Sequence, residues 1–300
     1  MSSNVLTAVL LPLVLAGLMF GLGLSLTLDD FRRVLAYPRA VGVGLLCQIV
    51  LLPLVCLGIA HGFRLEPELA VGLMVLAASP GGAAANIFSH LAHGDLALNI
   101  TLTAVSSVLS LVSMPLLIGL SLEHFMGVDS SLPLLLDKVV QVLVLVLAPV
   151  ALGMAVRARR PAVAARLDRS VRLLSAAFLL LVVAATLVRE RHQMSGFFRQ
   201  VGLAALTFNL VSLTVGYLVP RLVRLGKPQA IAISMEVGIH NAMLAITLTS
   251  SPLLLNRPTM AIPAAVYSLF MLITAALFGV VASRSGRAAP AGVARPGLES

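Results

Sequence analysis

The chain has 300 residues, of which 59% are hydrophobic and only 11% charged, against about 25% charged in soluble domains. Its mean hydropathy of +1.03 and its repeated apolar runs, many long enough to cross about 30 Å of hydrocarbon, exclude an ordinary soluble globule and mark an all-α polytopic membrane protein. The net charge of +9 does not imply a nucleic-acid partner, because the basic residues are sorted by the apolar runs.

Nine such runs follow one another at about 5–26, 40–61, 68–92, 95–120, 133–156, 171–188, 199–220, 228–253 and 259–283. They predict nine transmembrane helices joined by short loops, so residues 1–283 read as a single transmembrane domain. The first run lacks a basic leader and an Ala-x-Ala site, and is read as a span rather than a signal peptide. Cys47 and Cys56 share one apolar segment and make no metal-ligand pattern. Residues 284–300, rich in Ala, Gly and Pro, are expected to be a disordered tail.

Counting Lys and Arg on alternate sides of the nine runs gives fifteen on one side and six on the other. The basic excess of cytoplasmic loops then puts the N-terminus outside and the tail in the cytoplasm. Membrane lipid is the surrounding partner, with some attraction to anionic headgroups. No obligatory protein partner is expected.

Two runs are interrupted near their middles. The third contains ASPGGAAAN (78–86), where proline removes a donor and two glycines loosen the turn, predicting two half-helices around an unwound stretch. The eighth contains MEVGIHN (235–241), where Gly238 lies among polar neighbours. An offset of five spans makes equivalent helices antiparallel, so runs 2–4 and 7–9 are expected to form an inverted repeat. A pair of interrupted helices in such a repeat points to a secondary transporter's binding site. Half-helix N-termini suit an anion, and carbonyl ends with nearby side-chain oxygens suit a cation.

Of the twelve acidic residues only Glu236 lies deep in a run. Placing a carboxylate there costs about 2.5–3.5 kcal/mol even on insertion scales, so a bound cation or another function is the expected reason. Gln48, Asn86, Asn99, Thr103, Ser106 and Ser110 also occur at depth, and the spacing 99, 103, 106, 110 puts those four on one helical face. Ser106 and Ser110 fit helix packing as well as function. His240 could position a ligand or carry protons.

The stretches FGLGLSLTLDDFRRVL (20–35), SPGGAAANIFSHLAHGDLALNITLTAVSS (79–107) and ISMEVGIHNAMLA (233–245) resemble the bile acid:sodium symporter family, particularly its bacterial members. The resemblance implies that the two broken helices cross. It also implies a core domain over about 40–120 and 199–283, a panel domain from 5–26, 133–156 and 171–188, and a bacterial inner-membrane location. Two Na⁺ sites would lie behind the crossover. Asn86, Asn99, Thr103 and Glu236 would form one; Gln48, Glu236, Val237, Ile239 and His240 would form the other. Gly82, Ala83, Asn241 and Asn209 would face substrate. The chain departs from the family pattern at Ala85 and Asn99, where serines are usual, and at His240, where glutamine is usual. Met271 and Leu272 replace a frequent His-Asn pair.

The expected function is sodium-coupled symport of an organic anion, bile acid-like or a small carboxylate, by alternating access. The alternative is a proton-coupled carrier using Glu236 and His240. An intramembrane enzyme is disfavoured because no paired acid, nearby nucleophile or His-x-x-x-His pattern accompanies Glu236. A ligand-binding sensor shares every one of these features, and only a flux measurement separates it.

Overall fold

The computed structural model describes residues 16–17, 19–127, 147–167, 198–251 and 254–284, with isolated positions 13, 170, 174 and 196. Most of the first run, the start of the fifth, nearly all of the sixth and the tail therefore lie outside the described residues. Among the described residues the structure is helical, with a single isolated bridge between Gly81 and His240 in place of any sheet.

The elements that carry the site are α1 (Pro38–Gly62), α2 (Pro67–Ala78), α3 (Ala83–Leu91) and α4 (Leu96–Met126), followed by α5 (Gln200–Leu222), α6 (Lys227–Gly238), α7 (Ala242–Ser250) and α8 (Pro258–Ser283). Three of them, α1, α5 and α8, are apolar and long enough to cross a membrane unbroken. Helix α4 would make a fourth crossing, bent by 54° between its halves. Pro115 lies just beyond the bend and leaves the carbonyl of Leu111 without its helical donor, which accounts for the kink.

The remaining four helices are short, and at 1.5 Å per residue none crosses about 30 Å alone. They form two consecutive pairs, α2–α3 and α6–α7, interrupted at 79–82 and 239–241. Every residue from 69 to 82 is buried, as is every residue from 230 to 240 and from 242 to 249. Helices apolar on all faces are driven to the centre of the bundle, and this is where both breaks lie.

Small residues bring the backbones close. A methyl group on Gly72 would lie 2.2 Å from the Met260 carbonyl oxygen, and one on Gly216 would lie 2.8 Å from Ser234 Cα. In the described parts of the first and fifth runs, a methyl on Gly153 would meet the Phe20 carbonyl at 2.3 Å. The two ends of the bundle are marked by separate contacts. At one end Arg257 pairs with Glu68 at 2.9 Å, and Gln200 donates to Glu66. At the other end Arg39 reaches the Val223 carbonyl, and the Asp95 amide donates to the Pro228 carbonyl.

Candidate functional site

The two breaks are hydrogen-bonded to each other. The Gly82 amide donates to the Ile239 carbonyl at 2.6 Å, and the Asn241 amide donates to the Pro80 carbonyl at 2.9 Å, an antiparallel pairing in which unwound backbone satisfies unwound backbone. These bonds take donors away from the helices. In a continuous helix the Asn241 amide would bond to the Val237 carbonyl and the Ala242 amide to Gly238, but Ala242 donates to His240 instead. The carbonyls at the end of α6 are thereby released. Gly238 is re-satisfied by the Asn209 side-chain amide at 3.1 Å and the Tyr267 hydroxyl at 2.9 Å, while Thr274 donates to Asn209 Oδ1.

The α2 break obeys the same rule. Pro80 has no N–H for the Leu76 carbonyl, and both the Ser79 amide and the Ser79 hydroxyl take over that role. The Ser79 carbonyl in turn accepts from Gln48 Nε2 at 2.8 Å and faces His240 Nδ1 at 3.3 Å. Gln48 reaches it from a single π-helical turn, Cys47–Leu51, within α1, the kind of local distortion that re-aims side chains at sites. His240 is 1% exposed, stacked on Phe208 and edge-on to Tyr267.

Glu236 occupies the centre of this arrangement and is 1% exposed. Its carboxylate accepts from Thr103 Oγ1 at 2.6 Å, from Ser106 Oγ at 3.0 Å and, at a long 3.5 Å, from Asn99 Nδ2. All three donors stand on one face of α4. From the other side the carboxylate lies against Gly81, where a methyl group would come within 2.2 Å of Oε1. Only a glycine at that position lets the α2–α3 break approach the acid.

Several buried side-chain atoms on these elements have no hydrogen-bond partner: Asn99 Oδ1, whose amide nitrogen faces the carboxylate, Gln48 Oε1 and His240 Nε2, whose other ring or amide nitrogens face the Ser79 carbonyl, and Asn86 Oδ1 on α3. Unpartnered buried acceptors are costly unless something occupies their lone pairs. Carbonyl-type oxygens beside a carboxylate are a donor set for a hard cation such as Na⁺, and the residues present fit that ion. Asn86 lies on α3, Asn99 and Thr103 on α4, Glu236 and Val237 on α6, and Ile239 and His240 in the second break. The structure thus brings Asn99 and Thr103 to Glu236, brings Gln48 and His240 to the Ser79 carbonyl, and has Val237 and Ile239 beside or in the second break.

Of the four expected substrate residues, Gly82 and Asn241 lie in the breaks and Ala83 opens α3, its side chain being outside the described residues. Asn241 caps α7 by accepting from the Leu244 amide at 3.0 Å, whereas α3 starts without a side-chain cap. Asn209 is fully buried and holds the Gly238 carbonyl. Ser106, Gly81 and Ser79 were not among the expected site residues, and neither were Tyr267 and Thr274. Ser106 had a signal in the 99, 103, 106, 110 spacing. Tyr267 and Thr274 had none, since a hydroxyl in an apolar helix is ordinary.

Comparison with known proteins decides the family. A model described as "Sodium Bile acid symporter family" matches residues 12–197. The chain belongs to the sodium bile acid symporter family. Similar proteins include "Uncharacterized sodium-dependent transporter YocS" of Bacillus subtilis, 28% identical over 92% of this chain and 83% of its own. The chain is 31% identical to "Probable sodium/metabolite cotransporter BASS1, chloroplastic" of Arabidopsis thaliana, over 89% of this chain and 65% of that longer protein. The human "Ileal sodium/bile acid cotransporter" is 29% identical over 92% of this chain and 80% of its own. Membership makes the chain a sodium-dependent membrane transporter, not an enzyme.

Proposed function

We propose that this member of the sodium bile acid symporter family couples inward Na⁺ movement to uptake of an organic anion by alternating access. The observation that carries the reading is the crossover itself. A buried Glu236 lies against Gly81 of the first break where two broken helices pair antiparallel, and Asn86, Asn99 and Gln48 of the neighbouring helices each keep a buried side-chain oxygen without a donor. Na⁺ would occupy two places behind the crossover. One uses Glu236, Asn86, Asn99 and Thr103, whose hydroxyl can offer a lone pair to the ion while still donating its hydrogen bond to the carboxylate. The other uses Glu236, Gln48, His240 and the backbone carbonyls of Val237 and Ile239.

The anionic end of the substrate, from a bile acid-like molecule or a small carboxylate, would meet the opposite face. There the start of α3 at Gly82 and Ala83, which has no side-chain cap, offers a positive dipole end, with Asn241 beside it. Asn209 supports this face through the Gly238 carbonyl. Na⁺ binding joins α3, α4 and α6 and so holds the breaks in the form that presents that helix end.

In this reading α1–α4 and α5–α8 are inverted copies within a nine-span chain. Their equivalent positions are supported by the matched succession of long helix, broken pair and long helix, and by the antiparallel pairing of the two breaks. The copies form the core, and runs 5–26, 133–156 and 171–188 form a panel against which it rocks. The N-terminus lies outside a bacterial inner membrane and the tail inside.

Uptake into proteoliposomes tests the proposal, with a bile acid and a series of small carboxylates as probes. The expected result is accumulation that needs an inward Na⁺ gradient and is abolished by Glu236→Ala. Accumulation that ignores Na⁺ and survives Glu236→Ala contradicts it, and accumulation driven by a pH gradient without Na⁺ replaces it by proton coupling.

A further inference from the structure

The C-terminal ends of α1 and α4 carry a histidine pair that the crossover does not use. His61 stands in the last turn of α1 and His124 in the last turn of α4. Their Nε2 atoms face each other at 2.8 Å on the exposed surface, with ring planes 87° apart. Phe125 lies against both rings, at centroid distances of 5.2 and 4.8 Å. An exposed hydrogen bond between two imidazoles competes with water and contributes little to stability. The arrangement nevertheless brings two nitrogen donors to one point.

We propose that His61 and His124 form a surface site for a divalent transition-metal ion that favours 90° ligand angles, of the Cu²⁺ or Ni²⁺ class. Metal–imidazole bonds are about 2.0–2.1 Å. Two nitrogens 2.8 Å apart therefore subtend about 85–90° at an ion bonded to both, the angle between neighbouring ligands in square-planar and octahedral coordination. A tetrahedral Zn²⁺ needs them about 3.3 Å apart at the same bond length, so the rings would have to separate. Loading requires one tautomeric change. The ring that donated its Nε2 proton carries it on Nδ1 instead, and both Nε2 lone pairs then bind the ion with no change of net charge on the rings.

Two features of the place favour a cation. Both residues sit at helix C-termini, where the carbonyl ends carry partial negative charge. Imidazole is also a preferred ligand of this metal class. Among the described residues no third His, Cys, Asp or Glu completes a cluster, and the two histidines leave coordination positions open to water. An ion here fastens α1, which carries Gln48, to α4, which carries Asn99 and Thr103, at a point remote from the crossover.

The test uses the full-length chain without a histidine tag, in detergent, with one equivalent of Cu²⁺ and an electron paramagnetic resonance readout. The expected spectrum shows two equatorial nitrogens. It falls to one nitrogen, with loss of affinity, in His61→Ala and in His124→Ala, and it is unchanged in His93→Ala. Cu²⁺ and Ni²⁺ should raise Tm and Mg²⁺ should not, the rise being lost in both single variants. Since both side chains are exposed, the variants should keep the wild-type Tm without metal, which separates lost binding from lost folding. A copper spectrum that is the same in wild type and both variants overturns the proposal. So does the absence of any nitrogen-bound copper in the wild type.

Discussion

Glu236 remains in an apolar interior because α4 turns three donors toward it and Gly81 makes room for it. The hydroxyl bonds from Thr103 and Ser106 are the shorter two, and hydrogen bonds to a charged acceptor contribute about 1.5–3 kcal/mol each. Ser106→Ala and Thr103→Val should each lower stability by about that amount in Na⁺-free buffer, measured by chemical unfolding in detergent. Only Thr103→Val should also weaken Na⁺ binding, because Ser106 is not one of the proposed ligands. Equal weakening by both would mean that Ser106 is a ligand as well. Much of this was legible at the residue scale: an acid flanked by uncharged runs stands out, and the 99, 103, 106, 110 periodicity names the facing helix. Which of the four touch the acid was not legible, since Ser110 uses its hydroxyl on the Ser107 carbonyl within its own helix.

Both helix pairs break for reasons that lie partly outside their own sequence. For α2–α3 the local chemistry suffices, because Pro80 removes a donor and the Gly81–Gly82 pair permits unwound backbone. For α6–α7 it does not. Gly238 alone seldom ends a membrane helix, and α6 stops there because the Asn241 amide is drawn to Pro80 and the Gly238 carbonyl is held by Asn209 and Tyr267. Sequence therefore signalled the first break strongly and the second weakly. Gly81→Ala should be among the most damaging single-methyl changes, since the new Cβ would press on Glu236 Oε1 at 2.2 Å. Overpacking of this kind costs about 1–3 kcal/mol, and a Tm fall with loss of Na⁺ response is expected. Gly226→Ala, whose nearest neighbours lie 3.8 Å away, should leave both unchanged. Tyr267→Phe removes one of two donors to Gly238 and should cost about 1 kcal/mol, less than the buried size of Tyr267 alone would suggest.

At the scale of the whole molecule, composition announced a helical membrane protein, and the motifs around both breaks announced its family. The described helices present nearly all-apolar central elements wrapped by longer ones, as expected when the solvent is lipid. Orientation rests on the fifteen-to-six division of Lys and Arg. A fluorescent protein fused after Ser300 should therefore light up in the cytoplasm, and alkaline phosphatase at the same place should stay inactive; the reverse pattern would invert the topology. The most direct test of the account is thermal stability of the purified protein in NaCl against KCl and choline chloride, for wild type and Glu236→Ala. A tenfold excess of Na⁺ over its Kd should stabilise the folded state by roughly 1.4 kcal/mol. A rise in Tm specific to Na⁺ in the wild type and missing in Glu236→Ala is the predicted result. A Na⁺-specific rise that persists in Glu236→Ala, or none in the wild type, would contradict the placement of the ion at the crossover.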